Sequence, residues 1–528
     1  MPATATALAV NLVAVGFLLH RLAPDVNAKP LYQDEALAGL VSAEPLSSVV
    51  RTVIRDRGGA PLHFVLAHVA LTLDPSPAAL RWLSVVFALA TVPLCYDLGR
   101  RLAGPLAGGT AALVAASSQM LGIYGTFGRM YSLFAFTAAL AVDLFVRATE
   151  RRTRGAVLAA AAAAWLLPAV HPFGIILVAA EAGVALVLWR GKPLRAVLPV
   201  VAIVAATIPF VLADLRLADR YSAGLSGQSG LVTPFRATYV SARALGSFAG
   251  GREPLVLLFF ALAALGFVVL AGRRSPFAAL ACVALVVPPV VLVLGRSTGG
   301  ATDHLEARQL IFWLPLWAAL IGVGTARAVR DVHPALRVLS LALLCALALL
   351  APAAIADPRT APSGTQEAMA APAAWLLTHV ERNDVLFPNS PVFLAALHAT
   401  HGVATVPREE PSLVLRAVRR ARLPIGSVLV AVPLDQGTVS VVALRRRLGA
   451  GFEVRPYRRW LIIRAAGPFR DRGAVVVAAA RALSAARASI DGQSVGLEGY
   501  FHQSLGSLRA ALRVLRADQQ ARATSTSS

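Results

Sequence analysis

"PAALRWLSVVFALATVPLCYDLGRRLAG" occupies residues 77–104. Its apolar body, 79–98, is long enough to cross the about 30 Å hydrocarbon layer of a bilayer as a helix, and it closes on Arg100 and Arg101. The same pattern recurs along the chain. Apolar blocks fall at 5–22, 79–98, 106–122, 131–147, 156–172, 173–189, 194–213, 254–271, 276–295, 309–326 and 335–355, which predicts about eleven transmembrane helices. The stretch "PLHFVLAHVALTL", 61–73, is too short to span and is expected as a juxtamembrane or re-entrant helix.

Composition agrees. Of 528 residues, 57% are hydrophobic and 15% charged, against about 25% charged in soluble domains. A formal net charge of +22 would point to nucleic acid in a soluble protein. Here the arginines sit between apolar blocks, where they set topology, so a nucleic-acid partner is not the reading. Cys95, Cys282 and Cys345 all fall inside apolar blocks and are expected as small buried hydrophobes rather than disulfides.

The loops sort by charge. Arg100–Arg101, Arg151–Arg152–Arg154, "RGKPLR" (190–195), Arg273–Arg274 and "RAVRDVHPALR" (327–337) alternate with a second set: "YQDEALAG" (32–39), "YGTFGRMYS" (124–132), "AVHPFG" (169–174), the long loop 214–253 and "GRSTGGATDHLEARQ" (295–309). Positive charge marks the cytoplasmic side. The N-terminus is therefore expected inside, the second set outside, and the chain after 355 outside, as in a multi-pass protein of the cytoplasmic membrane.

After Ala356 the character changes. "DPRTAPSGT" (357–365) reads as a linker between a membrane domain, 1–355, and an extracytoplasmic domain, 356–528. In the latter, "NDVLFPNS" (383–390), "HGVATVP" (401–407), "GSVLVAVPL" (426–434) and "FEVRPYRRWLIIRAAG" (452–467) read as short strands. Helical stretches between them predict a small α/β fold. Residues 474–488 and 503–517 are expected as arginine-bearing amphipathic helices, and "RATSTSS" (522–528) as an unstructured tail.

Several chemistries are excluded by their missing motifs. There is no phosphate-binding G-x-x-x-x-G-K-[ST], no H-E-x-x-H and no D-x-D. "GVGTAR" (322–327) is glycine-rich but lies in a span with no strand before it, so it is not a dinucleotide loop.

What remains is a set of polar residues gathered by topology on the outer rim: Asp34 and Glu35, Arg129 and Tyr131, His171, then Asp303, His304, Glu306 and Arg308. Each has a plain alternative. An acidic pair is commonly a solvated patch, and Arg129 with Tyr131, or Arg308, could be interfacial anchors. His171 before Pro172 could mark a helix end, and the 303–306 acids and histidine read as loop charges rather than metal ligands. Glu181, inside an apolar span, is either functional or hydrogen-bonded between helices.

The order of motifs, "QDE" (33–35), "GGAPLHFVLAHVALTLDPSPAALRWLSVVFALATVPLCYDLGRRLAG" (58–104), "YGTFGRMYSLFAFTAAL" (124–140), "HPFGIILVAAE" (171–181) and "ARQLIFWLPLWAALIGVG" (307–324), resembles the GT-C membrane glycosyltransferases. Within them it looks most like the branch of protein O-mannosyltransferases and lipid A aminoarabinose transferases. The resemblance covers about residues 1–355. It implies an all-α polytopic membrane domain and a polyprenyl-phosphate-linked sugar donor used on the outer face. It also implies Asp34 as catalytic base with Glu35 beside it, and Arg129 and Arg308 near the donor phosphate, with His171 and Tyr131 as further substrate contacts. No organic cofactor is implied, and the need for a divalent cation is left open, as is the acceptor, whether glycan, lipid or protein. One departure stands out: the aminoarabinose branch carries an acidic residue just before the next helix's proline, where this chain has Gly59 and Ala60 before Pro61, with Asp56 nearby. The alternatives to an enzyme are a multi-pass transporter or lipid flippase and a non-catalytic envelope scaffold.

Overall fold

The computed structural model describes residues 2–29, 33–56, 60–188, 205–213, 234–248, 253–294, 307–330, 370–387, 392–393, 403–405, 411–434, 437–493 and 495–526. Residue packing divides the chain into two compact units. Met1–Ala28, Leu46–Ala67 and Leu80–Asp357 form the first; Lys29–Pro45, His68–Ala79 and Pro358–Ser528 form the second.

The helices up to residue 188 are α1 (Pro2–Leu22), α2 (Asp25–Ala28), α3 (Gln33–Ser42), α4 (Leu46–Asp56), α5 (Leu62–Leu73), α6 (Pro77–Ala103), α7 (Pro105–Ser117), α8 (Gln119–Tyr124), α9 (Tyr131–Arg151), α10 (Arg154–Val170) and α11 (Gly174–Leu188). Then follow α12 (Pro234–Phe248), α13 (Glu253–Gly272), α14 (Pro276–Leu294), a 3₁₀ turn (Ala307–Trp313) and α15 (Leu314–Ala328). Among the described residues, five helices are long and apolar enough to cross a membrane: Ala7–Ala28, Pro77–Ala103, Tyr131–Arg151, Leu255–Gly272 and Ala307–Ala328. Large apolar side chains such as Val86, Leu158, Val187, Leu257 and Val268 are exposed on these and neighbouring helices, as lipid-facing positions are in a multi-pass membrane protein.

The sequence blocks are helical where they are described, with some differences. The block 106–122 is two helices, not one. Ser118 leaves helical geometry (φ −52°, ψ 129°), and its hydroxyl accepts from Leu121 N–H to cap α8. The long loop 214–253 contains α12. Of block 194–213 only 205–213 is described, and block 335–355, the linker 357–365 and Cys345 lie outside the described residues. Cys95 is buried, but Cys282 is exposed on α14, as an apolar residue on a lipid-facing stripe is.

Close helix approach organises the first unit. The α6–α7 hairpin turns at Gly104, whose φ of 88° favours glycine, with Pro105 at the first helical position. On α15 every residue from Leu314 to Thr325 is buried. A methyl added at Gly324 or Gly266 would strike the Leu262 or Leu320 carbonyl of the facing helix, and one at Gly322 would strike the Ala107 carbonyl. "GVGTAR" is thus a packing seam that brings α15 against α13 and α7, the role small residues take between membrane helices. At the arginine end of α6 and α9, Arg147 reaches Asp143 at 2.7 Å and Asp97 at 2.5 Å, and Arg101 reaches Asp97 at 3.0 Å and Asp143 at 3.3 Å. The fully buried Asp143 is compensated by two guanidiniums, as a buried carboxylate requires.

The second unit contains α3 and, from residue 370 on, α16 (Ala370–His379), α17 (Pro411–Arg420), α18 (Val441–Leu448), α19 (Arg472–Arg487) and α20 (Val495–Thr526). Its strands are β1 (Val385–Phe387), β2 (Ala404–Thr405), β3 (Ile425–Pro433), β4 (Thr438–Val439), β5 (Phe452–Pro456), β6 (Trp460–Phe469) and β7 (Ile490–Asp491). The four segments read as strands form the five-stranded sheet β2-β1-β3-β6-β5. It is parallel between β2, β1 and β3 and antiparallel between β3, β6 and β5. Val428, Val430 and Val432 of β3 and Leu461 and Ile463 of β6 pack with Val475, Ala479, Ala482 and Leu483 of α19 and with Phe501 and Leu508 of α20. The expected tail is helical to Thr526. α20 is anchored late, by Asp518 to Arg419 and by Gln519 to Asp471, and backbone pairing carries it on from there.

Candidate functional site

In the first unit the turn 125–130 between α8 and α9 is fixed from three sides. Ser132 Oγ donates to the Tyr124 carbonyl at 2.6 Å, and Ser84 Oγ of α6 donates to the Phe127 carbonyl at 2.6 Å. The His63 ring of α5 bonds the Gly128 carbonyl. Arg129 N–H closes the turn on the Phe127 carbonyl at 2.6 Å. Gly125 is required by space: a methyl there would meet the Leu121 carbonyl and the Leu22 side chain. Arg129, half-buried, is thereby presented from a rigid turn.

The turn 171–173 between α10 and α11 supplies the histidine. His171 N–H bonds the Leu167 carbonyl at 3.0 Å and ends α10, and Gly174 packs so closely on Leu167 that a side chain is excluded. His171 Nδ1 accepts from Phe173 N–H at 3.1 Å, which leaves the ring proton on Nε2. The ring stacks on Phe134 with centroids 4.8 Å apart, and Phe134 leans on Phe312 of the 3₁₀ turn at 5.4 Å. Burial, with Arg129 and Arg308 beside it, pushes the His171 imidazole down to about 3, so it is neutral at pH 7.

Arg308 enters from the 3₁₀ turn, its guanidinium 5.5 Å from the centroid of the Tyr131 ring. Tyr131 lies 4.9 Å from Tyr124, 6.0 Å from Phe127 and 6.3 Å from His171. Four residues singled out in the sequence, Arg129, Tyr131, His171 and Arg308, therefore come together. Two cations, a neutral imidazole N–H and an aromatic wall can hold a phosphate and stabilise its growing charge as a leaving group.

The acidic pair belongs to the second unit. Asp34 and Glu35 occupy the first turn of α3, in the second unit. Asp34 is half-buried and Glu35 is buried. Asp303, His304 and Glu306 lie outside the described residues, as does the Asp56 side chain. Among the described residues, no three His, Cys, Asp or Glu side chains gather as metal ligands. Sequence reasoning passed over His63, which is buried with Nε2 unbonded and sits within electrostatic range of Arg129. The available signal was a histidine, one of two, inside a mostly apolar helix, where a polar group is costly.

No protein-family profile matches the chain, and no curated protein matches it. Solved structures do. ArnT from Cupriavidus metallidurans in the apo state aligns with a TM-score of 0.57 at 14% identity, over 89% of this chain and 100% of that one. ArnT from Cupriavidus metallidurans bound to undecaprenyl phosphate aligns with a TM-score of 0.54 at 16% identity, over 88% of this chain and 98% of that one. Both are GT-C glycosyltransferases. The fold is therefore similar to that of the GT-C class, the class the motif order resembles. The likeness takes in most of the chain, at an identity that speaks for fold alone.

Proposed function

We propose that this chain is a membrane glycosyltransferase that moves a sugar from a polyprenyl-phosphate donor to an acceptor hydroxyl on the outer face of the cytoplasmic membrane. The observation that carries the reading is the convergence of Arg129, Arg308 and His171 around Tyr131. This is a cationic cluster built from three separate turns in a chain whose fold is similar to that of a protein solved with undecaprenyl phosphate. The two guanidiniums would hold the lipid phosphate, and His171 Nε2–H would donate to one of its oxygens. Asp34, by the resemblance, would take the proton of the acceptor hydroxyl as it attacks the anomeric carbon, and the polyprenyl phosphate would leave. Inversion at that carbon follows from a single displacement. An N-terminus on the cytoplasmic side, and residues 356–528 outside, complete the proposal.

The test uses the full-length protein in lipid nanodiscs with undecaprenyl phosphate as probe. Tight, saturable binding that falls at least about tenfold in Arg308→Gln and in Arg129→Gln is expected, since a charge-assisted hydrogen bond contributes about 1.5–3 kcal/mol. Equal binding by wild type and both variants overturns the pocket assignment.

A further inference from the structure

The α/β domain and the proposed base belong to one structural unit. α3 carries Asp34 and Glu35 in its first turn. Its last turn runs on through Ala43 N–H to the Gly39 carbonyl at 2.8 Å and Glu44 N–H to the Val41 carbonyl at 3.3 Å. Glu44 thus moves with the helix, and Pro45 ends it. The Glu44 carboxylate has a side-chain exposure of 17% and meets Arg420 Nη1 at 2.5 Å. Arg416, one turn earlier on α17, adds a second cation within electrostatic reach. α17 is a firm support: Val414, Ala417 and Val418 are in the hydrophobic core, Arg472 Nε donates to the Val418 carbonyl at 3.1 Å, and Arg419 pairs with Asp518 at 2.6 Å. On the other side of the α3 terminus, His68 Nδ1 is bonded to the Ser42 carbonyl at 2.9 Å.

We infer that the C-terminal α/β domain sets the position of the proposed base, by clamping the far end of its helix through the Arg420–Glu44 ion pair. The lever is short and stiff. Ten residues separate Asp34 from Glu44, so at 1.5 Å per residue the arm is about 15 Å, and a tilt of about 4° displaces Asp34 by about 1 Å. A misplacement of that size can cost about 100-fold in rate. Arg420 is assigned as a positioning residue, acting on Asp34 through Glu44 and α3. The inference rests on Asp34 being the base.

The experiment measures transfer from undecaprenyl-phosphate-linked sugar, labelled in the sugar, by full-length protein in membranes. Arg420→Glu and Glu44→Arg should each lower the rate at saturating donor by at least about tenfold while undecaprenyl phosphate binding is unchanged. The double variant, with the charges exchanged, should recover to within about threefold of wild type. Arg420→Gln, which removes charge without repulsion, should show the same split at unchanged thermal stability. Silent single variants beside an inactive Asp34→Asn overturn the clamp alone, as does a double variant no better than the worse single. A fully active Asp34→Asn overturns the base, and the clamp with it.

Discussion

At the scale of single residues, His171 is the group whose behaviour is most sharply defined. Its folded pKa of about 3 lies below the ordinary 6.5. Between those values the unfolded chain binds the extra proton, so stability is full above pH 6.5 and falls as pH drops toward 3. Thermal unfolding followed from pH 8 to pH 4 should show that loss, and His171→Gln should flatten it; a wild-type profile without acid sensitivity attributable to His171 contradicts the burial described. The same value predicts that the pH–rate profile carries no step from His171 between pH 5 and 8. Arg129, Tyr131, His171 and Arg308 could be picked out in sequence because each lies in or beside a loop on the side of the chain poor in arginine. His63 could not, because it lies in the apolar stretch 61–73, away from those loops. The roles proposed for Asp34 and Glu35 come only from the resemblance, and burial, which differs between the two neighbours, is written in contacts that no local pattern records.

Among elements, the seam of α15 against α13 and α7 fixes the helix into which the 3₁₀ turn bearing Arg308 directly leads. Gly324→Leu places a side chain where the Leu262 carbonyl now sits. Overpacking of this kind costs about 1–3 kcal/mol or more. Gly324→Leu should therefore lower the thermal midpoint by several degrees or abolish folded yield in detergent, whereas Gly183→Leu, in open space on α11, should not. Equal stability of the two variants contradicts the seam. Periodicity and hydropathy announced the helices themselves. They did not announce the break at Ser118, which depends on one hydroxyl finding the Leu121 N–H, nor α12 inside the long outer loop. The strand segments around 385, 404, 428 and 462 were legible because short β-branched runs lie between turn residues.

For the whole molecule, the claim is a polytopic enzyme with its chemistry outside. The alternation of arginine loops predicts sidedness. In a chain with its cysteines changed to alanine, Ser484→Cys on α19 should react with a membrane-impermeant maleimide in intact cells, and Arg152→Cys should not; the reverse pattern inverts the topology. The proposed division into a membrane domain, 1–355, and an α/β domain, 356–528, rests on the change of composition after Ala356. The membership of residues 29–45 in the second unit was not legible there, because it depends on contacts between segments over 300 residues apart. The central claim is tested most directly by following label from undecaprenyl-phosphate-linked sugars into membrane acceptors, for wild type and Asp34→Asn at equal expression. The account predicts transfer by wild type and at least about a 100-fold loss in Asp34→Asn, within the 10²–10⁴-fold range of a general base, with undecaprenyl phosphate still bound. Full transfer by Asp34→Asn, or none by wild type across the donor sugars, would contradict it.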